Sequence, residues 1–145
     1  LGFDFIEARV ADVTEKPDLG GEFDRVLLDA PCSGTGTFRR RPELKQRITV
    51  ENLRNLIRLQ RKLLESAAGY VRPGGRLVYA TCSVLQEEND DVVENFLNGH
   101  EDFSVDRRAT SASKLPSSRT LFGRVFLPHQ TQACSMAVAI LKRDA

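Results

Sequence analysis

The stretch FDRVLLDAPCSGTG, residues 23 to 36, constrains the fold of this chain more than any other. Its apolar run Val26-Leu27-Leu28 joins a β-branched residue to two leucines, the make-up of a strand buried in a parallel sheet. The run stops at Asp29-Ala30-Pro31-Cys32, and Ser33-Gly34-Thr35-Gly36 then breaks any regular structure. An acid, a rigid proline and a thiol therefore stand just past the carboxyl end of a strand. Open α/β sheets bind their ligands there. GRLVYATCS, residues 75 to 83, repeats the plan, an apolar strand ending in Thr81-Cys82-Ser83. Two strands of one sheet would bring two cysteines to one rim.

Between them the spacing predicts a helix. Thr49 is placed to cap its amino end, with Glu51 in the first turn, where the helix dipole favours an acid. Leu53, Leu56, Ile57, Leu63, Leu64, Ala67, Ala68 and Val71 recur at helical spacing, while Arg54, Arg58, Arg61, Lys62 and Glu65 fill the other face. Gly69 weakens the end and Arg72-Pro73-Gly74-Gly75 stops it. A strand over 76–82 follows, so strand, helix and strand make a right-handed βαβ unit. Upstream, residues 5–13 alternate loosely and read as a strand closing at Asp12, with a polar turn over 14–22. Downstream come an acidic helix over 86–98 that buries Val92, Val93, Phe96 and Leu97, a short strand over 102–107 and a polar loop over 108–120. The last two strands are expected at 121–127 and 134–142. Cys134 falls inside the second of these and reads as a small buried hydrophobe. His100 and His129 match no ligand or catalytic spacing and read as surface residues.

With 145 residues, 41% hydrophobic and 28% charged, the chain is one domain's worth and can bury a core. Three cysteines without a CxxC spacing argue against a disulfide framework or a zinc site, and no metal is expected. No apolar run approaches the roughly 20 residues that span a bilayer, and no signal peptide is visible. A reducing cytoplasm fits best. The net charge of +1 hides a segregation: residues 39–85 carry 11 bases and 3 acids, whereas 86–106 carry 8 acids and no base. The densest basic segment is RRRPELKQR, residues 39–47, with 5 bases against 1 acid, and Pro42 forbids an ordinary helix interior there. Arg39, Arg40, Arg41, Lys45 and Arg47 can neutralise a phosphate backbone without reading its sequence; solvated surface charge is the alternative.

DAPCSGTG followed by TCS, with PELK and a long helix between them and Glu88-Asn89 just after, resembles the RNA cytosine-C5 methyltransferases of the bacterial Sun/Fmu and eukaryotic NOL1/NOP2/Sun-domain type. The resemblance runs from about Phe23 to Leu97 and is loose over the last quarter. It implies an α/β fold, a Rossmann-like sheet that uses S-adenosylmethionine, and an RNA substrate, rRNA being the one expected. The glycine-rich loop and ribose-binding acid of such a sheet have no counterpart in residues 1–22. Residues 1–145 are therefore expected to be one partial catalytic domain, its carboxyl-terminal part, inactive without the amino-terminal part. The Gly-Phe-Phe usual near the end of such domains is replaced by Ala133-Cys134-Ser135-Met136.

The implied reaction needs a thiolate that adds to carbon 6 of cytosine, because carbon 5 alone is too weak a nucleophile to take a methyl group. By resemblance Cys82 is that nucleophile and Cys32 assists release of the product; spacing alone does not assign the two. The resemblance also places Asp29 between the target base and the amino-acid part of the cofactor, Pro31 beside the cofactor, and Asp12 at its adenine. Asp12 capping a turn is the competing reading. For the whole chain the alternative is a truncated or decayed RNA-binding module that keeps the fold and has lost catalysis. A cysteine hydrolase lacks a placed histidine and an oxyanion signature.

Overall fold

The computed structural model describes residues 4–145. Strand β1 (Phe23–Asp29), helix α1 (Val50–Ala68) and strand β2 (Val71–Thr81) form the expected unit, with β1 parallel to β2 from Arg25↔Arg76 to Asp29↔Ala80. Thr49 caps α1 as predicted, its hydroxyl accepting the Asn52 amide at 3.1 Å. The chain then runs through α2 (Asp90–Gly99), β3 (Phe103–Val105), α3 (Arg107–Ser111), β4 (Ser118–Arg119), β5 (Arg124–Phe126), α4 (Pro128–Thr131) and β6 (Met136–Arg143). The described residues make a six-stranded sheet in the order β1-β2-β6-β5-β4, with β3 pairing β6 as well. β2 and β6 are antiparallel, from Arg76↔Lys142 to Thr81↔Ala137.

Alternation decides which face of the sheet is covered. Leu77 and Tyr79 of β2 and Ala139 and Leu141 of β6 point into one core with Leu64, Ala67 and Ala68 of α1 and Val92, Val93 and Phe96 of α2. Leu64, Leu77 and Leu141 are wholly buried. Truncating such a side chain typically costs about 2–5 kcal/mol, so this layer holds the strand ends above it in place.

Three expectations are corrected. Residues 5–12 are not a strand: beyond a turn at Asp4 and Phe5 they have no regular structure and are exposed, and a short 3-10 turn follows over Val13–Glu15. A strand needs a neighbour for its amides and carbonyls, and among the described residues β1 pairs only with β2. The segment is tied to α1 and its carboxyl end instead, through the Ser66 hydroxyl on the Val13 carbonyl at 2.5 Å and the Tyr70 hydroxyl on the Pro17 carbonyl at 2.6 Å. Cys134 lies ahead of β6, in a loop and half-buried beside Arg39 and Arg40, because β6 starts only at Met136. His100 is no free surface residue: its ring stacks on Phe96 at 4.1 Å and its Nε2 lies 3.2 Å from Glu65.

The expected polar loop over 108–120 instead holds most of α3 and the whole of β4, and α3 is anchored by Asp106. Asp106 accepts the Ala109 amide at 2.8 Å, capping α3, and the Arg76 guanidinium at 2.7 Å. The Ala109 amide first, and Arg76 second, hold this carboxyl below its ordinary value. A depressed folded-state value stabilises above the unfolded value, about 3.9, and the gain fades as pH falls through the folded one. Asp106→Asn should therefore narrow the difference in urea midpoint between neutral pH and pH about 3; an unchanged difference would sink the assignment.

Candidate active site

β1 and β2 end level, since Asp29 faces Ala80 and the Ala30 amide still donates to the Ala80 carbonyl at 2.9 Å. Cys32 and Cys82 therefore leave the sheet at one rim. Their sulfurs lie 3.0 Å apart, each half-buried. Burial, then the contact with Cys82, pushes the Cys32 thiol up to about 12. At this distance either sulfur can donate to the other, and only a thiolate would be nucleophilic.

The loops carrying the two thiols are laced together. The Gly36 amide donates to the Cys82 carbonyl at 2.9 Å, and the Ser135 amide to the Gly36 carbonyl at 3.0 Å. The Thr35 hydroxyl lies 3.0 Å from that of Ser83 and accepts the Val84 amide at 3.0 Å. Beneath them sits Glu88, 0% exposed. Its carboxylate accepts the Ser33 amide at 2.8 Å, the Ser33 hydroxyl at 2.5 Å and the Gln60 amide at 2.9 Å. Gln60 also donates to the Pro31 carbonyl at 2.9 Å, and the Tyr79 hydroxyl donates to the Glu88 carbonyl at 2.7 Å. Neither Glu88 nor Gln60 was assigned a role from sequence. The signal for Gln60 was there: it falls on the apolar stripe of α1 between Ile57 and Leu64, where an amide needs a buried partner.

A cleft of about 410 Å³ opens beside the thiols, between the 39–47 segment and α1, lined by Cys32, Ser33, Leu44, Arg47, Leu56 and Leu59 among others. Pro42–Gln46 is a 3-10 turn with its proline at the start, as the ban on an ordinary helix interior required. Of the basic residues there, Arg41 pairs with Glu43 at 3.2 Å and the Lys45 ammonium lies 5.6 Å from the centre of the Phe38 ring. Arg39, Arg40 and Arg47 are also exposed. Of the five, Arg47 lines the cleft with Cys32, whereas Arg39 and Arg40 border a separate pocket with Cys134.

Asp29 and Pro31 are exposed at the end of β1. Among the described residues the Asp29 side chain has no hydrogen bond or ion pair, so its carboxylate is available to a ligand. Asp12 accepts the Thr14 hydroxyl at 2.7 Å and the Thr14 amide at 2.9 Å, which hold its carboxyl below the ordinary value. The turn-capping arrangement is thus formed at Asp12. Among the described residues no cluster of three or more His, Cys, Asp or Glu has the arrangement of a metal site, and no helix is long and apolar enough to cross a membrane.

A family profile described as 16S rRNA methyltransferase RsmB/F matches residues 1–142. The chain belongs to that family. Ribosomal RNA small subunit methyltransferase B of Shewanella oneidensis is 44% identical over 94 residues, 65% of this chain and 22% of that protein. The protein of the same name from Vibrio vulnificus is 37% identical over 126 residues, 87% of this chain and 28% of that protein. The chain thus spans about a quarter of the length of these relatives. Among solved structures, PH0851 superposes with a TM-score of 0.87 at 36% identity, covering 98% of this chain and 32% of that one. NSun6 from Pyrococcus horikoshii, solved with SFG, gives 0.76 at 29% identity over 93% of this chain and 34% of that one. The family's Rossmann-like methyltransferase sheet is present here in part, as six strands.

Proposed function

We propose that this chain carries the two-thiol centre of an RNA cytosine-C5 methyltransferase, as the carboxyl-terminal part of a catalytic domain that acts with its amino-terminal part. The observation that carries the reading is the 3.0 Å approach of Cys32 and Cys82 at the carboxyl ends of adjacent parallel strands. The membership of a 16S rRNA methyltransferase family points to RNA, and rRNA, as substrate. A neighbour solved with SFG, an analogue of S-adenosylmethionine, points to that cofactor.

S-adenosylmethionine supplies an electrophilic methyl group when bound. The unpartnered carboxylate of Asp29, with Pro31, fits the wall of such a site, and Asp12 is assigned to its adenine side. On this reading Cys82 adds as thiolate to carbon 6 of a cytosine that is unpaired or flipped out. Carbon 5 of the resulting enamine takes the methyl group. Loss of the carbon-5 proton to a base then expels the Cys82 thiolate and restores the ring. Cys32, whose sulfur lies 3.0 Å from that of Cys82, is assigned the assistance of that departure. Asp29 would face the base as well as the cofactor. In the full-length protein, with methyl-labelled cofactor and an rRNA transcript, 5-methylcytidine is the product expected; label at another atom, or none, rejects the reading, and none favours the non-catalytic RNA module.

Arg39, Arg40, Arg41, Lys45 and Arg47 are proposed to hold the RNA backbone. Affinity should then fall steeply with salt, and Arg39→Ala with Arg41→Ala should flatten that dependence by about one unit of slope per arginine. A slope unchanged in the double variant would leave the cluster as solvated charge.

A further inference from the structure

The two thiols are not positioned by the sheet alone. Each hangs on a short loop, and the loops are gripped from below by two consecutive residues. The Glu88 carboxylate grips the Cys32 loop: Oε1 accepts the Ser33 amide at 2.8 Å, Oε2 accepts the Ser33 hydroxyl at 2.5 Å, and Gln60 bridges Oε1 to the Pro31 carbonyl at 2.9 Å on each side. Asn89 grips only the Cys82 loop: its Oδ1 accepts the Thr81 hydroxyl at 2.6 Å, and its Nδ2 donates to the Ser83 carbonyl at 3.1 Å and the Leu85 carbonyl at 2.7 Å. Thus Pro31 and Ser33 bracket one thiol, Thr81 and Ser83 bracket the other, and the two grips are adjacent in sequence.

The chemistry of the two grips is not interchangeable. All three donors to Glu88 are neutral, and among the described residues no ion pair includes it, so an acid is kept wholly buried for its acceptors. A buried carboxylate of this kind is costly and persists where geometry matters. Asn89, by contrast, must donate twice and accept once, which only an amide can do.

We propose that Glu88 and Asn89 are paired positioning residues, Glu88 setting the place of the Cys32 sulfur and Asn89 that of the Cys82 sulfur, so that each governs a different step. The proposal rests on the two-thiol reading above. If Cys82 attacks and Cys32 assists release, Asn89 acts on formation of the protein–RNA adduct and Glu88 on its resolution. Displacing a reacting group by about 1 Å costs on the order of a hundredfold, so the two effects are separable.

The test uses the full-length protein with an rRNA transcript and cofactor, following formation and decay of the adduct on denaturing gels. Glu88→Ala should form adduct at the normal rate and release it about ten- to a hundredfold more slowly. Glu88→Gln, which keeps an acceptor for the Ser33 and Gln60 amides, should restore most of the release rate. Asn89→Asp, which keeps Oδ1 but removes both donors, should slow formation by a similar factor and leave release alone. Equal losses in both steps, or the reverse assignment, would overturn the proposal. If Glu88→Ala does not fold, Ser33→Ala removes one donor to the same carboxylate and should give the release defect in weaker form. A second readout is independent of catalysis: diamide takes two hydrogens from the thiols and joins Cys32 to Cys82, and this capture should slow in Glu88→Ala and Asn89→Asp. Unchanged capture in both variants rejects the grip. Should Cys32→Ala fail to trap adduct, the two-thiol reading fails, and the capture rates alone decide whether the grip exists.

Discussion

In the full-length protein, Cys82→Ala is expected to abolish both methylation and any protein–RNA adduct, whereas Cys32→Ala is expected to form the adduct and fail to release it. The two sulfurs are 3.0 Å apart, close enough to share a proton. Cys32 keeps its proton because it is buried and leans on Cys82. A protonated sulfur is a poor nucleophile and a good partner for a departing thiolate. The trapped species should be a band that needs RNA and contains methylated cytosine. A trapped adduct in Cys82→Ala and none in Cys32→Ala would reverse the roles. Near-normal turnover in both variants would reduce the pair to structural thiols, with mild losses of stability as their only consequence.

Gly36→Ala should lower stability by about 1–3 kcal/mol, although it adds a single methyl group to an ordinary position. A Cβ at Gly36 would lie 2.6 Å from the Ser135 Cβ and 2.7 Å from the Cys82 carbonyl oxygen. Neither neighbour has room to give, because both are hydrogen-bonded to Gly36 itself. The loop after β1, the residue after β2 and the residue before β6 meet at this one point, so relief must move Cys82. Thermal midpoint and adduct formation should therefore fall together, the midpoint by about 2–4 °C per kcal/mol for a protein of this size or larger. Gly99→Ala is the control, since nothing lies within 4 Å of the Cβ it would add, and its effect should stay within about 0.5 kcal/mol. A wild-type midpoint for Gly36→Ala would show that the crossing point is soft.

What could be read from sequence follows the range of the interactions. Helix α1 was legible because Thr49 and the stripe from Leu53 to Ala68 are local signals, and they agree with each other. The rim was legible because a strand ending in Pro31-Cys32 and another ending in Thr81-Cys82 need only lie in one sheet for the thiols to converge. The segment 5–13 failed for the opposite reason. Its alternation is a real strand signal, but a strand exists only with a partner, and pairing is not written into the segment itself. The role of Glu88 was missed likewise: its partner Ser33 lies 55 residues earlier, and only the fold brings the two together. His100 has the same history, since its stack on Phe96 and its contact with Glu65 depend on α1 and α2 packing together.

The position of β6 has a consequence for how the chain is made. It is the last strand in chain order, yet it lies between β2 and β5 and carries the register that completes both. Arg76 must wait for Lys142 and Thr81 for Ala137, so on the ribosome β2 is synthesised with one edge open until Arg143 has emerged. Closing so long a loop costs entropy before any pairing repays it. During that interval the apolar side chains Leu77 and Tyr79 lack Ala139 and Leu141, their partners in the core. The nascent sheet thus exposes apolar surface until β6 docks, and slowing translation through the codons for Met136 to Arg143 should lengthen that interval without changing the final fold.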